Sequence, residues 1–209
     1  MNILILGASG ATGHALVEQA LSQGHVVSAF VRNPSKLRIS QSNLKVMQGD
    51  VTDYALVERA IKYQDAVISA LGAATPFKQD PALNDGVRNV IKAMEQWGVK
   101  RFIYLSFVGV RECRGEMGFL VNHVISHILH NAIADHEIKE SVIRQSRLEW
   151  TIVRPPKLTN GQQTGVYRSG EDIKPTSFIL QFSRADLADF MLKQLTDGRY
   201  LRKTPRVMY

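Results

Sequence analysis

The sequence is poor in three things. Its 209 residues hold one cysteine, Cys113. A lone cysteine closes no intrachain disulfide and builds no thiolate cage for a metal. No stretch of the chain approaches the roughly eighteen consecutive apolar residues that a membrane-spanning helix needs, so no membrane partner is expected. The first apolar run, NILIL, has no basic flank and leads straight into a glycine turn, unlike a secretory leader. A cytoplasmic location is the expectation. Blocks of like charge are missing as well. Lys and Arg number 26 against 19 Asp and Glu, a formal charge of +7, but they are scattered. The densest cluster, Arg111 and Arg114, is broken by Glu112 and Glu116. This is not the basic arm or recognition helix of a nucleic-acid binder. Dispersed positive charge instead suits attraction of small anions.

What is present is a regular alternation. Residues 2–6 read as a buried strand, 11–23 as a helix ended by Gly24, and 25–31 as a second strand rich in β-branched residues. Further strands are expected at 43–49, 64–71, 99–106 and 149–156, the last stopped by two prolines. Helices are expected after Asp53, from Asp80-Pro81 to Gly98, from near Val121 to Arg144, and after a capping box at Ser183 to Asp186. A short strand is expected at Tyr200 to Lys203, and 157–178 reads as irregular. Repeated short βα units predict an α/β fold. It is a doubly wound parallel sheet in three layers, within one domain spanning 1–209. The irregular segments 73–79, 107–121 and 157–178 follow strands four, five and six, so they gather at the carboxyl edge of the sheet, where ligands bind.

The first of these turns, GASGATG, follows a strand and opens a helix. Gly7 suits the tight turn, Gly10 a close approach of backbone to a pyrophosphate, and Gly13 the packing of helix on sheet. Ser9 and Thr12 add hydroxyls, and the amides from Ala11 onward face the phosphate charge. The turn therefore predicts a dinucleotide. Arg32 ends strand two, where an NAD site carries an acidic residue. Its guanidinium fits a 2′-phosphate and favours NADP over NAD, with NADPH preferred and NADH tolerated. Asn33, Ser35, Lys36 and Arg38 stand close behind it. Asp50 is placed to reach the adenine amino group, Val51 to pack on the ring, and Leu71-Gly72 to pass beside the nucleotide.

GASGATG, VRNPSK (31–36), QGDVTD (48–53) and DAVISALG (65–72) resemble the atypical short-chain dehydrogenase/reductase superfamily. YLSFVG, EWTIVRPPKLTNGQQTGVY and FSRADLADFML narrow the likeness to its NAD(P)H-binding group, which contains biliverdin reductase B and bacterial NADH-flavin reductases. The resemblance covers nearly the whole chain. It implies a Rossmann-like domain that binds NAD(P)H and delivers hydride to a transiently bound flavin, FMN or FAD, or a similar planar acceptor. It further implies that Ser106 holds the superfamily's serine position and that Pro155 and Pro156 lie beside the nicotinamide. His136 corresponds to a histidine of biliverdin reductase B. Lys157 stands where that protein has histidine, a departure that weighs against bilin as the acceptor.

The superfamily's Tyr-x-x-x-Lys proton donor is missing, because Tyr104 lies inside strand five. Ser106, His136 and Lys157 are the remaining catalytic candidates, with Lys139 one turn beyond His136. Phe77, Phe107 and Phe119 are candidate stacking surfaces. Arg111, Arg114, Lys157, Arg168 and Lys174 are candidates to attract an acceptor's phosphate. His123, His127 and His130 share a helical spacing, but no carboxylate motif accompanies them, and no metal is expected. Ser106 lacks a nucleophile elbow, which excludes the common hydrolase arrangement. Flavin reduction, quinone reduction and a non-enzymatic redox sensor that pairs with a protein partner all remain open, and the chain is expected to be a monomer.

Overall fold

A computed structural model describes residues 1–72, 80–108, 130–176 and 181–209. In chain order the elements are β1 (Asn2–Leu6), α1 (Ala11–Ser22), β2 (Val26–Val31), β3 (Leu44–Gln48), α2 (Tyr54–Ile61), β4 (Ala66–Ser69), α3 (Pro81–Trp97) and β5 (Arg101–Leu105). They continue with α4 (His130–Gln145), β6 (Glu149–Val153), β7 (Lys157–Thr159), β8 (Arg168–Gly170), β9 (Gln181–Ser183), α5 (Arg184–Lys193) and β10 (Arg206–Met208).

Six strands form one sheet in the order β3-β2-β1-β4-β5-β6. Every neighbouring pair is parallel. The fold is therefore the expected three-layer, doubly wound α/β architecture. Strand order reverses between β1 and β4, so the crevice opens outside the carboxyl ends of those two strands.

Alternation along each strand explains the two apolar layers. Ile3 and Ile5 of β1 face α1 and α5, where they meet Leu16, Val17, Leu187 and Met191. Leu4 and Leu6 face the opposite layer, with Val57 and Ile61 of α2 and Val90 and Met94 of α3. All four β1 side chains are fully buried. Each contributes about 1.5–3 kcal/mol relative to exposure. That is why β1 reads as a continuous apolar run rather than an alternating one.

The helix boundaries follow local chemistry. Asp53 caps α2 by accepting from the Leu56 amide, and Asp80 caps α3 by accepting from Leu83. Gly98 ends α3 in the left-handed region at φ 70°, the usual glycine position after a helix. The capping box at Ser183 is half formed. Ser183 Oγ accepts from the Asp186 amide at 2.9 Å. The Asp186 carboxylate turns elsewhere, accepting from Thr164, Gly165 and the Tyr209 hydroxyl.

Two sequence expectations are corrected. The C-terminal strand lies at Arg206–Met208, not at Tyr200 to Lys203, and a 3₁₀ turn occupies Gly198–Tyr200. The segment 157–178 is not wholly irregular: it holds β7, which pairs with β9, and β8, which pairs antiparallel with β10. Strands of three residues carry too little periodicity to be read, and their partners are distant in sequence. The early part of the expected helix from Val121, with His123 and His127, lies outside the described residues, as do 73–79 and 109–121 of the expected acceptor pocket. Arg111, Arg114, Phe77 and Phe119 are outside them too.

Candidate functional site

The crevice holds a cavity of about 420 Å³ built from the carboxyl ends of β1 to β4 and the start of α3. The glycine turn forms its floor. Gly7 sits at φ +74°, and a Cβ there would lie 2.7 Å from the Ala70 carbonyl oxygen of the neighbouring strand end. A Cβ on Gly13 would lie 2.1 Å from the Gly7 carbonyl oxygen. Only glycine lets α1 approach the turn this closely. The Gly10 amide donates to Gly7 O at 3.0 Å, and Gly10 is the N-cap of α1. Unlike α2, α3 and α5, α1 has no side-chain cap, and its first turn holds no acidic residue. Its first amides keep their partial positive charge for an anion.

Eight of the residues expected to hold the dinucleotide line this cavity: Gly7, Ser9, Gly10, Arg32, Asp50, Val51, Leu71 and Gly72. A Cβ on Gly72 would meet nothing within 4 Å, so this glycine faces open space. Ala11, Thr12 and Gly13 do not line the cavity; Thr12 and Gly13 are buried in the first turn of α1. Arg32 and Lys36 stand together in the wall. Asn33 and Ser35 do not join them: Asn33 Oδ1 accepts from the Ser35 amide at 3.1 Å and its hydroxyl at 2.7 Å, closing a small turn. Asp50 combines two roles. Its Oδ1 accepts from the Thr52 amide at 3.0 Å and hydroxyl at 2.8 Å, while the residue still borders the cavity. The Thr52 hydrogen bonds, helped by the Arg32 charge, hold its carboxyl below the usual range.

Phe30, Val31, Gly49, Thr52, Ala70, Asp80, Ala82 and Leu83 also line the cavity and were not foreseen as parts of it. Two glycines carried the signal. A Cβ on Gly49 would lie 2.5 Å from the Phe30 ring, and one on Gly86 of α3 would lie 2.4 Å from Val51. These contacts fix the β3 loop against both neighbours.

Beyond β4 the site changes character. Ser106, just past β5, is 4% exposed, and its hydroxyl donates to Glu140 Oε1 of α4 at 2.6 Å. Glu140 in turn holds Arg154, which donates from Nε to Oε1 at 3.1 Å and from Nη2 to Oε2 at 2.5 Å. Both partners are buried, at 3% and 2% exposure. His136 Nδ1 lies 3.4 Å from Ser106 Oγ and 3.5 Å from the Tyr104 hydroxyl. The Phe107 ring meets the imidazole edge-on at 5.0 Å between centroids. Burial, with the Lys139 charge nearby, pushes His136 down to about 3, so the ring is neutral. Burial and Glu140 push the Tyr104 phenol up. Lys139 is pulled down by burial, against the opposing charges of Asp135 and Asp80.

Ser106 and His136 are thus brought together, but Lys157 is not with them. It is exposed at the start of β7. The Ser106 hydroxyl is directed inward, to Glu140. Pro155 is buried and accepts from the Val108 amide at 3.1 Å, which carries the β5–β6 pairing past the strand ends. Neither Ser106 nor Pro155 lines the cavity. Glu140 and Arg154 escaped the sequence reading because nothing local marks them. Glu140 looks like one more charge on a helix, and Arg154 like a polar strand end before the prolines.

Among the described residues no helix is long and apolar enough to cross a membrane. No group of three His, Cys, Asp or Glu among them is placed to hold a metal ion.

A family model described as NAD(P)H-binding matches residues 7–198. An uncharacterized chloroplastic protein of Arabidopsis thaliana is 32% identical over 176 residues, which cover 78% of this chain and 61% of that protein. The chain therefore spans less than two thirds of that relative. A crystal structure of the oxidoreductase ylbE from Lactococcus lactis superposes with a TM-score of 0.83 at 19% identity, covering 100% of this chain and 90% of that one. The structure of ChuY, an anaerobillin reductase from Escherichia coli O157:H7, superposes with a TM-score of 0.79 at 22% identity, covering 100% and 97%. At these identities the two structures establish likeness of fold.

Proposed function

Because the chain belongs to the NAD(P)H-binding family, we propose that it is an NAD(P)H-dependent oxidoreductase that reduces a free flavin, FMN or FAD, or a similar planar acceptor. The observation that carries this reading is the pairing of a glycine-built cavity suited to a dinucleotide with the lack of a poised proton donor among the described residues. Gly7 and Gly13 leave backbone space that a Cβ would fill, and the uncapped start of α1 suits a pyrophosphate. Arg32 and Lys36 supply the charge for a 2′-phosphate, which favours NADPH. A bound reduced nicotinamide would supply the hydride, and the flavin would take it together with one proton from water, giving reduced flavin and oxidised cofactor.

The residues beyond β4 suit that modest demand. Tyr104 is a fully buried phenol pushed up from its ordinary range, and His136 is a neutral imidazole with nothing to donate from a charged form. Ketone reduction benefits from a positioned acid. Flavin reduction asks chiefly that two planar rings be held at reacting distance. The Lactococcus oxidoreductase and the Escherichia coli anaerobillin reductase share this fold, which supports a redox role.

The test is anaerobic oxidation of NADPH and NADH with FMN, FAD, riboflavin, a quinone, a bilin and a simple ketone. Turnover is expected with flavin and not with the ketone. Tight dinucleotide binding without turnover across the panel would replace this reading with that of a redox sensor.

A further inference from the structure

The buried chain from Arg154 to His136 fixes more than shape, because hydrogen bonds have direction. Arg154 only donates, and Glu140, paired with it, only accepts. Ser106 has one hydroxyl proton, and the 2.6 Å contact commits it to Glu140 Oε1. A hydrogen bond to a charged carboxylate is roughly twice as strong as a neutral one. At 3.4 Å from His136 Nδ1, the Ser106 oxygen can then offer only lone pairs.

We propose that Glu140 and Arg154 are positioning residues that act through Ser106 to hold His136 as the Nδ1–H tautomer, leaving Nε2 as a proton-free acceptor. The Nδ1–H donor then serves both oxygens that face it, Ser106 Oγ and the Tyr104 hydroxyl at 3.5 Å. In the opposite tautomer the Nδ1 lone pair would face a Ser106 oxygen that has no proton left to give. Among the described residues, Tyr104 is the neighbour able to reverse this, since its hydroxyl can either donate or accept.

The consequence for substrate rests on the proposed function. Toward an acceptor bound within its reach, an Nε2 lone pair would take a hydrogen bond from a ring N–H, such as the imide of an isoalloxazine, and would have no proton to hand to a carbonyl. The tautomer itself does not depend on that reading and can be measured without turnover.

The experiment is ¹⁵N-edited NMR of the imidazole at neutral pH, in the full chain with labelled histidine, His136 being assigned by loss of its signals in His136→Asn. Wild type is expected to show a protonated Nδ1 and an unprotonated Nε2. Ser106→Ala removes the acceptor and is expected to shift the population toward Nε2–H, the form favoured in water. Glu140→Gln is expected to move it the same way, and Ser106→Ala keeps the test open if that variant does not fold. Tyr104→Phe is expected to leave the Nδ1–H signature in place. A wild-type Nε2–H signal, or a tautomer that changes in Tyr104→Phe but not in Ser106→Ala, would overturn the proposal. Flavin turnover lost while the Nδ1–H signature persists would count against the proposed function alone.

Discussion

The two halves of the crevice are built by different means. The half at β1 to β3 is made of backbone: glycines at van der Waals limits, an uncapped helix start and a carboxylate tied into its own turn. The half at β5, β6 and α4 is made of side chains that meet across long stretches of sequence, Ser106 with Glu140 and Glu140 with Arg154. The first can be held by a short motif. The second exists only once the sheet has formed. Damage should therefore spread differently: a side-chain deletion in the second half leaves a buried charge behind, whereas a Cβ added in the first meets unyielding backbone.

The largest effect is expected at Glu140. Truncation to Ala takes from the Arg154 guanidinium, 2% exposed, the carboxylate that accepts from its Nε and Nη2. Breaking one partner of a buried pair costs about 3–5 kcal/mol. Chemical denaturation should show a loss of that size for Glu140→Ala, and a smaller one for the double variant Glu140→Leu/Arg154→Met, which removes both charges. A double variant as unstable as the single one would mean that packing, not the pair, holds this half together.

In the first half the sharpest probe is Gly13→Ala. The added Cβ would sit 2.1 Å from Gly7 O, which cannot swing aside as a flexible side chain could. Overpacking of this kind costs about 1–3 kcal/mol, and the displaced turn should weaken dinucleotide binding. Gly72→Ala is the control, because nothing lies within 4 Å of its Cβ. Its stability should stay within about 0.5 kcal/mol of wild type. Equal losses in the two variants would remove the argument that the turn is a backbone-limited cradle.

The contrast between the halves also explains what was legible. GASGATG announces itself because its chemistry is local, a strand, three glycines and the start of a helix within the first thirteen residues. Asp53, Asp80 and Gly98 mark helix ends for the same reason. Ser106 and His136 were found as candidates, yet the hydroxyl's inward direction was not, since it is set by Glu140, 34 residues away in sequence. Lys157 follows the proline pair in sequence, but it is exposed at the start of β7. The three-residue strands β7 to β10 were missed or misplaced because each is too short to show a period and takes its register from a distant partner.

A pH titration separates the halves again. His136 is held down to about 3 against 6.5 in the unfolded chain. As pH falls below 6.5 the unfolded state takes up this proton first, so the stability due to a neutral His136 is complete above 6.5 and declines toward 3. The slope is at most about 1.4 kcal/mol per pH unit, reduced by the solvent that reaches part of the ring. Between pH 6.5 and 5, above the ordinary carboxylate range, His136→Phe should flatten the stability curve relative to wild type. An unchanged slope would mean that the imidazole is not buried in the folded protein.

The smallest expected effect is on cofactor choice, and it probes the charged side chains of the first half. Arg32 and Lys36 share a cavity wall with Asp50. A charge-assisted hydrogen bond contributes about 1.5–3 kcal/mol, but Arg32 is exposed and its charge is partly answered by Asp50, which favours the lower end. Arg32→Ala should therefore weaken NADPH roughly tenfold, about 1.4 kcal/mol, and leave NADH nearly unchanged. Asp50→Asn should act in the opposite sense and more weakly, because it removes a negative charge near the 2′-phosphate while an amide oxygen can still accept from Thr52. Dissociation constants for both nucleotides in the three proteins decide the matter. If Arg32→Ala weakens NADH as much as NADPH, the guanidinium serves a part common to both nucleotides, and the preference for the 2′-phosphate must be sought at Lys36.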